Sequence, residues 1–155
     1  MKQQKVLFVC LGNICRSPAA EGVMQKLVDE QGRTEHIFLD SAGTGGWHAG
    51  QAADNRMREH ASMRGYDLTS RARQFKLSDF CEFDLIVVMD ESNREDLLSL
   101  SSEPNYRAKV KRMTDYCQRF EDKEVPDPYY GGESGFEHVL DLLEDGCDEL
   151  LKNLM

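Results

Sequence analysis

The stretch "VLFVCLGNICRSPAAEG", residues 6–22, changes character twice. It opens as an unbroken apolar run, passes through glycine, asparagine, two cysteines and an arginine, and closes on Ser-Pro and apolar positions at helical spacing. The apolar run, with its β-branched residues, suits a strand covered on both faces in a parallel sheet. After the turn, Ala20, Val23, Met24, Leu27 and Val28 mark one helix face that runs to Gly32. Ser17 is the expected N-cap, Pro18 the first helical residue and Gly32 the stop. A buried strand that turns tightly into a helix is the opening half of a βαβ unit.

The same alternation continues along the chain. "KVLFV" (5–9) and "DLIVVM" (84–89) read as buried strands, "HIFLDSAG" (36–43) as a third and "AKVKRM" (108–113) as a weaker fourth. Helical patterns fall at 54–64 and 91–100. A long apolar stripe, Phe136, Val139, Leu140, Leu143, Cys147, Leu150, Leu151 and Leu154, predicts a C-terminal helix lying on the sheet. The expected fold is therefore doubly wound α/β, with a four-stranded parallel sheet, helices on both faces and right-handed crossovers. Ligands of such sheets gather at the carboxyl ends of the strands, and the opening stretch lies at one. Residues 101–105 and 123–135 read as loops inside one domain spanning 1–155.

Composition narrows the possible functions. The 155 residues are 40% hydrophobic and 30% charged, an ordinary globular balance. Twenty-eight acids against nineteen bases give a net charge of -9, with no basic run to track nucleic acid. An anionic ligand would have to be attracted locally. No apolar run approaches a membrane span, and the N-terminus does not read as a signal peptide, so a cytoplasmic protein with no membrane partner is expected. Five cysteines, an odd number without C-x-x-C, argue against a disulfide framework or a zinc ribbon.

Cys10 ends the first strand and Arg16 lies six positions on, at the mouth of the helix. So short a loop must curl, which turns successive backbone N–H groups toward one centre where the helix dipole adds positive potential. Gly12 and Asn13 tolerate the positive φ that curling requires. Arg16 offers a planar two-pronged donor that fits two phosphoryl oxygens, which lysine cannot copy. A thiol placed there ionises more readily than a free one and becomes a nucleophile. Cys15 either fills space inside the turn or traps an oxidised Cys10 as a disulfide. A nucleotide P-loop is excluded because G-K-[ST] is missing, and "GTGGWH" puts His48 where a dinucleotide fingerprint needs glycine.

"VCLGNICRSPAAEG", with "DSAGT" (40–44), "MDESN" (89–93) and "DPYYGG" (127–132), resembles the low-molecular-weight protein tyrosine phosphatase family over nearly the whole chain. The resemblance implies a flavodoxin-like sheet, no cofactor or metal, and hydrolysis of phosphotyrosine through a cysteinyl-phosphate. It implies that Cys10 attacks while Arg16 binds the phosphoryl group within the loop Leu11, Gly12, Asn13, Ile14 and Cys15. Ser17 would keep the thiolate ionised, Asn13 with Ser41 would brace the turn, and Asp127 would be the general acid. Tyrosine-phosphorylated proteins are then the expected partners, with the chain a monomer or weak homodimer.

Phosphate-ester chemistry gives Asp127 a reason to be there. A phenol with a pKa of about 10 leaves poorly as phenolate, so a carboxylic acid must protonate it and later take a proton from water. Asp127 lies between two prolines and before Tyr129 and Tyr130, whose rings would partly desolvate it. These tyrosines, with Trp47 facing them, would wall a slot deep enough for phosphotyrosine and too deep for phosphoserine. Of the rest, His36, His48, His60 and His138 lack ligand spacing. Cys81, Cys117 and Cys147 read as packing residues, and Glu21 is expected to pair with Arg64.

Three other readings are weaker. Arsenate reductases on this scaffold need two further cysteines, and "EFDLIVVMDESN" after Cys81 has none. Arginine-phosphate phosphatases typically carry threonine where this chain has Ile14. A non-catalytic phosphopeptide module would usually have lost Cys10 or Asp127.

Overall fold

The computed structural model describes residues 3–129 and 133–154. Its sheet comprises β1 (Gln4–Cys10), β2 (Ile37–Gly43), β3 (Leu85–Val88) and β4 (Val110–Arg112), in the order β2-β1-β3-β4 with every pairing parallel. Alternation along β1 sorts the core. Val6, Phe8 and Cys10 face one layer, with α1 (Arg16–Glu30), α2 (Asn55–Met63) and α6 (Glu133–Asn153). Leu7 and Val9 face the other, where α3 (Asp79–Glu82) and α4 (Glu91–Leu98) bring Phe80 and Leu97 beside Phe75, Phe83 and Tyr106. A strand buried on both faces can be apolar throughout, which is why "VLFV" shows no polar alternation. The crossover from β1 to β2 goes to one side and β3 lies on the other. The chain thus reverses direction across the sheet beside Cys10, where such folds open a crevice.

The remaining elements are the short α5 (Pro104–Arg107) and a 3₁₀ turn at Met113–Tyr116, neither of which carries enough periodicity to be read from sequence. The N-cap of α1 corrects an expectation. The helix begins at Arg16 and Cys15 is its cap, without a side-chain hydrogen bond. Ser17 lies inside the first turn, its hydroxyl engaged by Asn13 and Cys10 rather than by the helix end. Gly32 does follow the helix, at φ +67°. Asp54 and Asp90 cap α2 and α4 with their side chains, as Asp commonly does.

Gly43 closes β2 against the turn after β1. A Cβ there would lie 2.8 Å from the Leu11 carbonyl oxygen and 3.1 Å from the Asn13 nitrogen, both backbone atoms that cannot swing aside. Gly43→Ala should therefore cost about 1–3 kcal/mol, read as a lowered urea midpoint, and should weaken phosphate binding because the displaced atoms belong to the turn itself.

Candidate active site

The turn at 11–15 is held from outside by its carbonyls. Cys10 O accepts from Thr44 N (2.9 Å), Leu11 O from Gly45 N (2.9 Å) and Ile14 O from Asp54 N (2.8 Å). In a trans peptide the N–H points opposite to the C=O of the same unit. The amides of Leu11, Gly12 and Cys15 therefore point away from those partners and toward the hollow of the turn. The uncapped start of α1 adds its own free N–H groups and positive dipole end. The result is a cradle of donors suited to a tetrahedral oxyanion.

Asn13 gives this turn its shape. It is the one non-glycine residue with positive φ (+58°) among the described residues, a conformation Asn tolerates better than most. Its buried amide is fully used. Nδ2 donates to Ser17 Oγ (2.7 Å) and Ser41 Oγ (3.0 Å), while Oδ1 accepts from Arg73 N (3.0 Å). Ser41 in turn donates to Glu21 Oε1 (2.7 Å). Since Asn13 donates into Ser17, the hydroxyl's own proton is free to point elsewhere. Cys10 Sγ lies at 3.0 Å and the Ala42 carbonyl at 3.4 Å, so the nearer acceptor is the sulfur.

Arg16 is buried, and its charge is held from behind. Nη1 donates to Asp90 Oδ2 (2.6 Å) and to the Val125 carbonyl (3.0 Å), and Nη2 lies 3.7 Å from Asp127 Oδ2. Burial works against the guanidinium's charge, but Cys10, Asp90 and Asp127 outweigh it and hold the pKa above its ordinary value. Asp127 Oδ1 accepts from Tyr129 N at 3.0 Å, and the side chain is 35% exposed.

These groups meet in one cleft of about 400 Å³ lined by Cys10, Leu11, Gly12, Ile14, Cys15, Arg16, Trp47, His48, Asp127 and Tyr129. Cys10 is only 2% exposed, yet it borders this cleft. Trp47, 70% exposed, and Tyr129 both line the cleft. Asn13, Ser17 and Ser41 stand behind the turn. Tyr130 lies outside the described residues. Burial, then Asp54 and Cys10, push the Cys15 thiol far up, so it is protonated at neutral pH.

Several placements depart from the sequence reading. Glu21 does not meet Arg64. It faces Ser41, with burial raising its pKa most, while Arg64 binds Glu137, Asp141 and Glu144 on α6. Cys81 is exposed, with Sγ 2.7 Å from the Tyr106 hydroxyl, so it is not a packing residue. His48 lines the cleft, and Asp90 grips Arg16; neither role was foreseen. The Asp-Glu-Ser-Asn run does signal a helix cap, but only the fold shows that its free carboxylate oxygen turns to Arg16.

A family model described as low molecular weight phosphotyrosine protein phosphatase matches residues 5–155. A relative from Synechocystis is 54% identical over 150 residues, covering 97% of this chain and 96% of its own. A solved protein tyrosine phosphatase from Entamoeba histolytica superposes with a TM-score of 0.95 at 49% identity, covering 97% of this chain and 96% of that one. A Drosophila arginine phosphatase shares the fold at TM-score 0.89 and 32% identity, with 97% of each chain covered.

Replacing the forked donor tests the cradle. Arg16→Lys keeps one charge but cannot span two oxygens while holding Asp90, so inorganic phosphate should bind about 10-fold or more weakly by calorimetry.

Proposed function

The chain belongs to the low molecular weight phosphotyrosine protein phosphatase family, and from that premise we propose that Cys10, Arg16 and Asp127 carry out its hydrolysis of phosphotyrosine. The supporting observation is their convergence: the sulfur, the guanidinium and the carboxylate border one cleft beneath aromatic walls. The cradle binds the dianion, with Arg16 bridging two phosphoryl oxygens. Cys10 attacks phosphorus from the floor, forming a P–S bond as the P–O bond to the tyrosine breaks. Asp127 gives its proton to the departing phenolic oxygen. A water then attacks the cysteinyl-phosphate, Asp127 takes back a proton, and phosphate leaves with the thiolate restored. Charge builds on the equatorial oxygens throughout, where the loop amides and Arg16 already point.

Aromatic walls formed by Trp47 and Tyr129 suit the ring of phosphotyrosine better than an aliphatic guanidinium phosphate. In this reading Leu11, Gly12, Asn13, Ile14, Cys15 and Ser17 shape the phosphate cradle, Ser41 supports it, and Tyr130 belongs to the acid segment. Residues 1–155 work as one domain in the cytoplasm, as a monomer or weak homodimer acting on tyrosine-phosphorylated proteins, with neither nucleic acid nor membrane as a partner. Cys10 is a free thiol, as the proposed nucleophile must be. No helix among the described residues is long and apolar enough to cross a membrane.

Two substitutions separate the roles. Cys10→Ser should abolish aryl-phosphate turnover while leaving phosphate binding measurable. Asp127→Ala should slow phenyl phosphate by about 10²–10⁴-fold but an acidic nitrophenyl ester far less, because that leaving group needs no proton. Equal losses on both esters would remove Asp127 from the acid role.

A further inference from the structure

We propose that Arg56 is a positioning residue for the general acid, a bridge that ties the acid segment to the loop carrying the nucleophile. This rests on the assignment of Asp127 as the acid. Arg56 stands in the first turn of α2 and is held there by Asp54. Its Nε and Nη2 donate to the two carboxylate oxygens at 3.2 Å each, a two-pronged pairing that fixes the plane of the guanidinium. Nη2 also donates to the Tyr129 carbonyl at 3.1 Å. The guanidinium carbon lies 5.3 Å from the centre of the Tyr129 ring and 4.9 Å from that of Phe136, so one cation grips the described residues on both sides of 130–132.

The links form a continuous path. Asp54 N–H holds the Ile14 carbonyl of the nucleophile loop (2.8 Å), and the Asp54 carboxylate holds Arg56. Arg56 holds the Tyr129 carbonyl, and Tyr129 N–H holds Asp127 Oδ1 (3.0 Å). Tyr129 thus has its carbonyl secured by Arg56 while its amide aims the carboxyl of Asp127. The acid segment needs such a tether. Pro126 and Pro128 flank Asp127 and supply no backbone N–H, which leaves few main-chain bonds to anchor it. Upstream, Val125 is fastened by its N–H to the Met89 carbonyl and by its own carbonyl to Arg16. Downstream, Arg56 takes that part. It is not among the residues that line the cleft.

A residue acting this way should affect only the proton-transfer step. A misplacement of about 1 Å can cost about 10²-fold in a step that depends on alignment, whereas an ester with an acidic leaving group needs no aligned acid. The experiment compares kcat/KM of the intact enzyme on phenyl phosphate and 2,4-dinitrophenyl phosphate for wild type, Arg56→Ala, Arg56→Lys, Asp127→Ala and the Arg56→Ala/Asp127→Ala double variant. Arg56→Ala should lose about 10-fold or more on phenyl phosphate and less than about 2-fold on the dinitrophenyl ester, with unchanged competitive inhibition by inorganic phosphate. Arg56→Lys, which keeps a charge and one donor, should recover part of the loss. In the double variant, removing Arg56 should add nothing on phenyl phosphate, because its effect passes through the missing acid.

Equal losses on both esters, or additive losses in the double variant, would overturn the proposal while leaving Asp127 as the acid. An Asp127→Ala variant without leaving-group dependence would overturn both. If Arg56→Ala fails to fold, the same comparison is read from Arg56→Gln, which keeps the aliphatic stem with a shorter, uncharged donor that ends where Nε stands, two bonds short of the Nη2 that meets the Tyr129 carbonyl. Loss on phenyl phosphate alone supports the bridge, and no selective loss overturns it.

Discussion

The side-chain amide of Asn13 is the constraint on which the site depends. Its two N–H groups and its carbonyl are all engaged, and its backbone takes a left-handed turn that most residues resist. Its donors leave Ser17 and Ser41 with their own protons free. Ser41 spends its proton on Glu21, and Ser17 has Cys10 as the nearest acceptor. A single planar group therefore sets the polarity of a buried network and the curl of the loop in front of it. Such a network is costly when half satisfied and rigid when complete, and here each of the three serine and asparagine side chains has its partners.

That rigidity matters because the protein as a whole repels the ligand it is built to hold. With a net charge of -9, attraction has to come from fixed dipoles and from one guanidinium. Burying Arg16 is expensive unless it is paired, and Asp90 with the Val125 carbonyl provides the pairing on the side away from the cleft. Such an ion pair adds little to stability in general; its value here is orientation, since one edge of the fork is fixed and the other is left toward the cleft. The Asp127 carboxylate, 3.7 Å from Nη2, lies within reach of the same fork, so both groups face the one cleft.

What was legible in the sequence follows from how local each signal is. The central strands β1 and β3 could be read because both faces are covered and their runs are apolar, whereas β2, which carries Asp40 and Ser41, and the short β4, which is Val-Lys-Arg, gave weaker signals. The loop could be read because strand, glycine, asparagine and helix start lie within a few residues of one another. Asp127 stood out through the resemblance and through its prolines, not through any spacing to Cys10. Asp90 was visible as a cap but not as the partner of Arg16, seventy-four positions away. Glu21 was paired wrongly because both it and Arg64 lie on helices whose facing directions only packing decides: Glu21 turns to the end of β2, and Arg64 to α6. Ser17 looked like a cap because Ser-Pro commonly opens a helix. Its hydroxyl had a stronger claim on it from the buried amide and the sulfur.

The seam between α2 and α6 connects this local chemistry to the rest of the fold. Arg64 meets three carboxylates of α6, and Tyr66 donates to one of them, Glu144, at 2.5 Å. His60 pairs with Glu137 and stacks on Phe136 at 5.4 Å between ring centres. Exposed ion pairs taken singly contribute little, but these share partners and lie along one helix, so they fix how α2 sits on α6. Arg64, then His60, holds the Glu137 carboxyl below the usual range, which marks the seam as charged at neutral pH. Asp54, the N-cap of that same α2, holds the Ile14 carbonyl, and α6 begins at Glu133, shortly after Asp127 in sequence. The loop at 11–15 and the segment carrying Asp127 are therefore set relative to each other by the docking of two helices, and the cleft at the carboxyl end of β1 inherits its shape from a contact well behind it.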